Sequence, residues 1–129
     1  NFWATWCAPC LREIPLLNEY QQTYRDRSLQ VIGIAVDRTA PVLEFMENLP
    51  FDYPVLIGQA DAMDAAAAFD VDFFGLPFSI FTDTDGFVLG VHTGELHAVD
   101  LDNFIATLDD LATGNLNVSG ARAQLADRR

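Results

Sequence analysis

The sequence predicts an α/β domain in which a central mixed sheet, parallel at first and antiparallel at its end, is sandwiched by helices. Three observations predict it. Apolar spacing alternates between strand-like and helix-like stretches, in the order strand, helix, strand, helix, strand, helix, then a hairpin and a helix. Leu29 to Val36 is a near-continuous apolar run of strand length, which suits a parallel strand covered on both faces. Asp83-Thr84-Asp85-Gly86 between two apolar runs is a hairpin signal, and it makes the end of the sheet antiparallel. The 129 residues amount to one domain, without room for two ordinary cores.

Asn1 to Thr5 reads as the end of a buried strand. It carries no initiating Met and no leader, so natural upstream sequence, including the first strands of the fold, is expected to precede it. From Cys7 to about Arg27, apolar residues recur at helical spacing through Leu11, Ile14, Leu17, Tyr20 and Tyr24. Pro15 falls inside that pattern and is expected to kink the helix without ending it. After the Leu29–Val36 strand, Pro41 suits the first turn of a helix reaching about Leu49. Val55-Leu56-Ile57 reads as a short strand, and Asp61 to Phe69 as an Ala-rich helix with an acid near its positive end. Phe78–Phe81 and Phe87–Val91 form the hairpin, and Asp100 is placed to cap a helix reaching about Leu111. Beyond Gly114 one more helix, capped by Ser119, is expected in a tail over 113–129. Asn117-Val118-Ser119 matches a glycosylation acceptor, a pattern short enough to arise by chance.

Half the residues are apolar and a fifth are charged, a globular mix. No apolar run reaches the length of a membrane-spanning helix. Seven Lys and Arg against 19 Asp and Glu give a formal net charge of −12, which repels phosphate backbones and makes nucleic acid and anionic lipid poor partners. The aromatic stretch of Phe73, Phe74, Phe78, Phe81 and Phe87 is expected to be mostly core, with some residues free to line an apolar patch near the cysteines.

Only two cysteines occur, Cys7 and Cys10, with Ala8 and Pro9 between them. So small a loop cannot staple a fold, so the pair is chemical or half of a metal site. Cys7 falls where the strand ends and the helix begins, where unpaired N–H groups and the helix dipole favour a thiolate. Cys10, one turn further in, is expected to be more shielded. That asymmetry suits thiol–disulfide exchange, in which one sulfur attacks and the second resolves the mixed disulfide. Pro9 stiffens the turn between them. Glu13 is three positions past Cys10, hence its neighbour on a helix, and six past Cys7, about 240° around the axis. A carboxylate there could take the Cys10 proton; the alternative is a solvated surface glutamate. A zinc site would need His92 and His97, but more than eighty residues intervene where finger-type spacing has about 12–15. Two lone surface histidines are the simpler expectation.

From Asn1 to about Leu111 the chain resembles the thioredoxin-like superfamily and, within it, the TlpA/ResA-type thiol–disulfide oxidoreductases. The motif that carries the resemblance is Asn1-Phe2-Trp3-Ala4-Thr5-Trp6-Cys7-Ala8-Pro9-Cys10 followed by Glu13-Ile14-Pro15; the second is Gly75-Leu76-Pro77 before an apolar strand and the Asp85-Gly86 turn. The resemblance implies a three-layer sandwich over 1–112, with an inserted helix and strand at about 41–58. It implies a cis Leu76–Pro77 peptide whose Leu76 backbone pairs with a bound substrate segment. Thioredoxins carry a buried aspartate where Asn1 stands; an amide cannot accept that proton, and the resemblance makes Glu13 the replacement. Leu76, Phe78 and Ser79 depart from the small polar residues usual around that proline.

The function implied is a protein thiol–disulfide oxidoreductase acting as a reductase. Cys7 attacks, Cys10 resolves, Glu13 manages the Cys10 proton, and Trp6, Ala8, Pro9, Leu76 and Pro77 shape the substrate surface. No cofactor or metal is expected beyond the Cys7–Cys10 couple. Expected partners are client disulfides and an upstream dithiol donor, with the protein itself monomeric and no nucleic acid bound. The resemblance implies a bacterial periplasmic or extracytoplasmic setting and a part in cytochrome c maturation; any membrane anchor would lie upstream. A peroxiredoxin-like thiol peroxidase, which shares the insertion, and a metal or copper chaperone are the alternatives.

Overall fold

A computed structural model describes residues 1–27, 29–71 and 75–126, so Phe73 and Phe74 lie outside the described residues. The elements are β1 (Phe2–Trp3), α1 (Ala8–Tyr24), a 3-10 turn (Arg25–Arg27), β2 (Gly33–Val36), α2 (Thr39–Asn48), β3 (Val55–Gly58), α3 (Ala60–Ala68), β4 (Phe78–Thr82), β5 (Val88–Thr93), α4 (Ala98–Ala112) and α5 (Val118–Gln124). The sheet order is β3-β2-β1-β4-β5. β1 pairs parallel with β2 and antiparallel with β4, and it is the point where the sheet changes sense. β3 extends the parallel side, and the β4–β5 hairpin forms the antiparallel end.

β1 is two residues long and sits at the centre of the sheet, so its two side chains face opposite layers. Trp3 enters a cluster with Ile14 of α1 and Val42 of α2, where Phe45 and Phe51 lie 5.6 and 5.4 Å from its ring. Phe2 points the other way, stacks on Phe78 at 4.3 Å and packs with Ala66 of α3. Helices thus cover both faces, as the alternating pattern predicts.

Four boundaries differ from the sequence expectation, each for a local reason. The run from Leu29 pairs as strand only from Gly33, where Pro54 and Asn1 carbonyls first accept its N–H groups. β5 begins at Val88, leaving Phe87 61% exposed, because Asp83 takes the Asp85 and Phe87 N–H groups on its carboxylate and holds Phe87 in the turn. Asp100 is not the N-cap of α4. His97 is, and Asp100 sits three residues in, reaching back to the His97 N–H at 2.8 Å as the return arm of a capping box. Likewise Asn117, not Ser119, caps α5 by accepting from the Gly120 N–H at 2.8 Å.

α5 docks the tail onto the hairpin. Its Ala121, with Leu125, joins Leu89 and Phe104 in one cluster. Leu125 comes so close to β5 that a Cβ on Gly90 would sit 2.9 Å from it, so glycine is what lets this helix end lie against the strand.

Candidate active site

The Phe2–Trp3 strand delivers the chain to the N-terminus of α1, and Thr5 fixes the bend between them. Its N–H and hydroxyl both donate to one oxygen of Asp37, at 2.9 and 2.5 Å, tying the loop before Cys7 to the end of β2. Cys7 is the N-cap of α1, with Ala8 and Pro9 in the first turn, where a missing N–H costs nothing. The Cys10 N–H donates to Cys7 Sγ at 3.3 Å. Cys7 and Cys10 are joined as a disulfide, with Cα atoms 5.2 Å apart. Cys7 keeps 6% of its surface exposed and Cys10 none, so the outer sulfur belongs to the residue at the helix mouth.

Trp6 is 71% exposed and borders a groove of about 530 Å³ shared with Asp37, Arg38, Pro41 and Met63. Ala8 is exposed and Pro9 half-buried beside it. On the other side, the Leu76–Pro77 peptide is cis. Leu76 packs against the cluster that holds Cys7 and Cys10, and Pro77 is buried with its carbonyl accepting from the Gly94 N–H at 2.9 Å. A smaller hollow of about 230 Å³ adjoins Leu76, Pro77, Val91 and Thr93.

Glu13 is not a surface residue: it is 1% exposed. One carboxylate oxygen accepts from the Asn1 side-chain amide at 2.9 Å and the other from the Leu96 N–H at 2.5 Å. Arg12, the preceding residue, holds Glu95 by a 2.6 Å ion pair and so ties the segment carrying Leu96 to α1. Burial pushes the Glu13 carboxyl above the ordinary carboxylate range; the Leu96 and Asn1 hydrogen bonds pull against that without cancelling it.

The structure therefore brings Cys7, Cys10 and Leu76 into one cluster and leaves Trp6 and Ala8 at the surface. His92 and His97 gather elsewhere, around Glu95 and Asp100. His92 Nε2 lies 3.1 Å from the Glu95 carbonyl, and His97 lies 3.7 Å from the Glu95 carboxylate. His92 is half-buried, not a lone surface residue. Among the described residues, no group of three or more His, Cys, Asp or Glu is placed to hold a metal, and no helix is long and apolar enough to cross a membrane.

Sequence reasoning missed the surroundings of Glu13. Ser79 accepts from the same Asn1 amide nitrogen at 3.0 Å, and Tyr53 lies buried with its hydroxyl unpartnered among the described residues. Ser79 did carry a signal, as the one hydroxyl in the apolar strand Phe78-Ser79-Ile80-Phe81.

This arrangement has counterparts. Thiol-disulfide oxidoreductase ResA of Geobacillus kaustophilus is 28% identical over 109 residues, covering 84% of this chain and 60% of that protein. ResA of Bacillus anthracis is 29% identical over 109 residues, covering 81% and 59%. The chain thus spans about three fifths of the length of these curated relatives. Among solved structures, a protein assigned as the thiol:disulfide interchange protein DsbE of Chlorobium tepidum superposes with a TM-score of 0.73 at 28% identity, over 83% of this chain and 75% of that one. A thioredoxin-related protein of Neisseria meningitidis serogroup B gives 0.70 at 24% identity, over 84% and 82%, a likeness of fold. The fold is thioredoxin-like, as the opening motif implies. The family model described as Redoxin matches residues 1–108, which take in the whole sheet, both cysteines and Glu13; the chain belongs to the Redoxin family.

Proposed function

We propose that this protein is a thiol–disulfide oxidoreductase that reduces disulfides of client proteins in an extracytoplasmic compartment, with a part in cytochrome c maturation. One observation carries the reading: a Cys7–Cys10 disulfide at the mouth of α1, its outer sulfur accepting a helix N–H and its inner sulfur buried. The ResA relatives, themselves named thiol-disulfide oxidoreductases, support it.

In the reduced protein the Cys7 thiolate attacks a client disulfide, stabilised by the Cys10 N–H and the end of the helix dipole. One client sulfur leaves as a thiolate and takes a proton, and the other stays joined to Cys7. Cys10 then gives up its proton to Glu13 and attacks Cys7 Sγ; the second client sulfur leaves as a thiolate and takes that proton from Glu13. The sum is two electrons and two protons passed to the client, with the Cys7–Cys10 disulfide left behind. An upstream dithiol protein restores it, and no other cofactor enters. Trp6, Ala8 and Pro9 on one side and Leu76 and Pro77 on the other bracket Cys7, so a client strand lies across it and pairs with the Leu76 backbone.

The dithiol form mixed with insulin is expected to lose two thiols for every insulin disulfide reduced, and the Cys7→Ser variant to reduce none. Consumption of hydrogen peroxide by the dithiol form, with insulin untouched, would replace this reading by a thiol peroxidase. For Glu13, the Glu13→Gln variant is expected to resolve mixed disulfides about 10²-fold more slowly near neutral pH. Its rate should rise only as the Cys10 thiol itself ionises, moving the acid limb to higher pH. Stopped-flow pH profiles check this, and superimposable profiles would remove Glu13 from the proton transfer.

A further inference from the structure

The surroundings of Glu13 contain an asymmetry that its burial does not explain. The Asn1 side-chain nitrogen uses both of its protons, one toward Glu13 at 2.9 Å and one toward Ser79 Oγ at 3.0 Å. The oxygen of the same amide is buried and has no partner among the described residues. An amide is nearly symmetric in shape, so chemistry decides which end faces which neighbour. Turned over, Asn1 would aim an acceptor at an ionised carboxylate, which offers only acceptors. The observed orientation is the one that an anionic Glu13 requires. The other carboxylate oxygen also meets a donor, the Leu96 N–H. Both contacts favour the charged form, because an ionised carboxylate accepts more strongly from an N–H group than a protonated one does.

We propose that Asn1 and Ser79 are positioning residues that favour the charged form of Glu13, Ser79 anchoring the Asn1 amide by accepting its second N–H. The proposal deepens the proposed function by assigning the control of its proton acceptor. Ser79 acts from β4, directly after the Pro77 turn and Phe78, so the strand that follows the Pro77 turn also bears on the charge of Glu13. Other groups bear on Glu13 as well. Glu95, beyond β5, disfavours its charge. Tyr53, before β3, feels the charge in turn, with burial and Glu13 together pushing its hydroxyl well up. Arg12, on the same helix, is taken up by Glu95, whose carbonyl faces the His92 ring. Variants of Ser79 leave all of these in place.

The test is the titration of the Glu13 side-chain carboxyl, followed by carbon NMR in the full chain. Ser79→Ala removes the acceptor that anchors the amide and is expected to raise the Glu13 midpoint by about half a unit to one unit. Ser79→Thr, which keeps a hydroxyl, is expected to restore the original value. Asn1→Asp exchanges the donor for a second carboxyl and is expected to raise the midpoint further than Ser79→Ala does. A midpoint unchanged in Ser79→Ala, or raised equally in Ser79→Thr, would overturn the proposal, and Asn1→Asp decides it if the Ser79 variants do not fold. Because this readout needs no client, absence of insulin reduction by the wild-type protein would overturn the proposed function while leaving the titration result intact.

Discussion

Cys10→Ser is expected to leave the protein covalently joined to its clients, and Cys7→Ser to leave no adduct and lower exchange by about 10³-fold or more. Of the two cysteines Cys7 alone keeps exposed surface, and among the described residues its sulfur is the one that accepts a helix N–H. A client disulfide can therefore reach Cys7 but not Cys10. With Cys7 present and Cys10 replaced, the first transfer proceeds and the second has no nucleophile, so the mixed disulfide persists until an external thiol cleaves it. With Cys7 replaced, the remaining thiol lies wholly buried and meets no client sulfur. Non-reducing gels of cell extracts, with and without dithiothreitol, read both outcomes. Equal trapping by the two variants would mean that α1 opens enough to expose Cys10, and the order of attack would have to be abandoned.

Folding also fixes how the site responds to acid. The folded protein binds a proton at Glu13 more tightly than the unfolded chain does, because burial outweighs the two hydrogen bonds. In the window between the ordinary carboxylate value and the raised one, the folded state holds more protons, so Glu13 makes stability fall as pH rises. The Glu13→Gln variant should lose that decline in urea unfolding followed across the window.

The layout of the fold was legible in the residues because it rests on local periodicity and turn chemistry. The apolar run ending at Val36, the Pro41 helix start, and the Asp83–Gly86 turn each act within a few residues of themselves. What escaped depends on partners distant in the chain. Spacing placed Glu13 beside Cys10, but whether it faces water is decided by Leu96, 83 residues further on, and by Asn1. The helix caps failed for a subtler reason. Asp100 and Ser119 are good capping residues by type, yet each lies inside a helix whose first turn starts two or three residues earlier, at His97 and Asn117. Residue type marks a capping neighbourhood, while packing of Leu101 and Ala121 into the core chooses the register within it.

Trp3→Ala is expected to cost about 3–5 kcal/mol and to take the redox site with it. Trp3 is wholly buried, and its ring meets Phe45 of α2 and Phe51 beyond it, so truncation leaves a cavity that two separate elements would have to close. A strand of two residues has no second anchor on that face: Phe2 points into the opposite layer. The same two residues carry the chain into Ala4, Thr5 and Cys7, and the Cys7 N–H donates to the Ala4 carbonyl at 3.3 Å. Losing Trp3 therefore loosens the frame that sets Cys7 at the start of α1. The indole N–H has no partner among the described residues, so Trp3→Phe forfeits no hydrogen bond and should cost distinctly less. Urea unfolding gives both free energies, and the rate of exchange with a small disulfide reports the site. If Trp3→Ala proved as stable as the wild type, the central strand would not be what fastens the two layers together. If it were destabilised with exchange unchanged below the unfolding transition, Cys7 would owe its position to α1 and the Thr5–Asp37 tie alone.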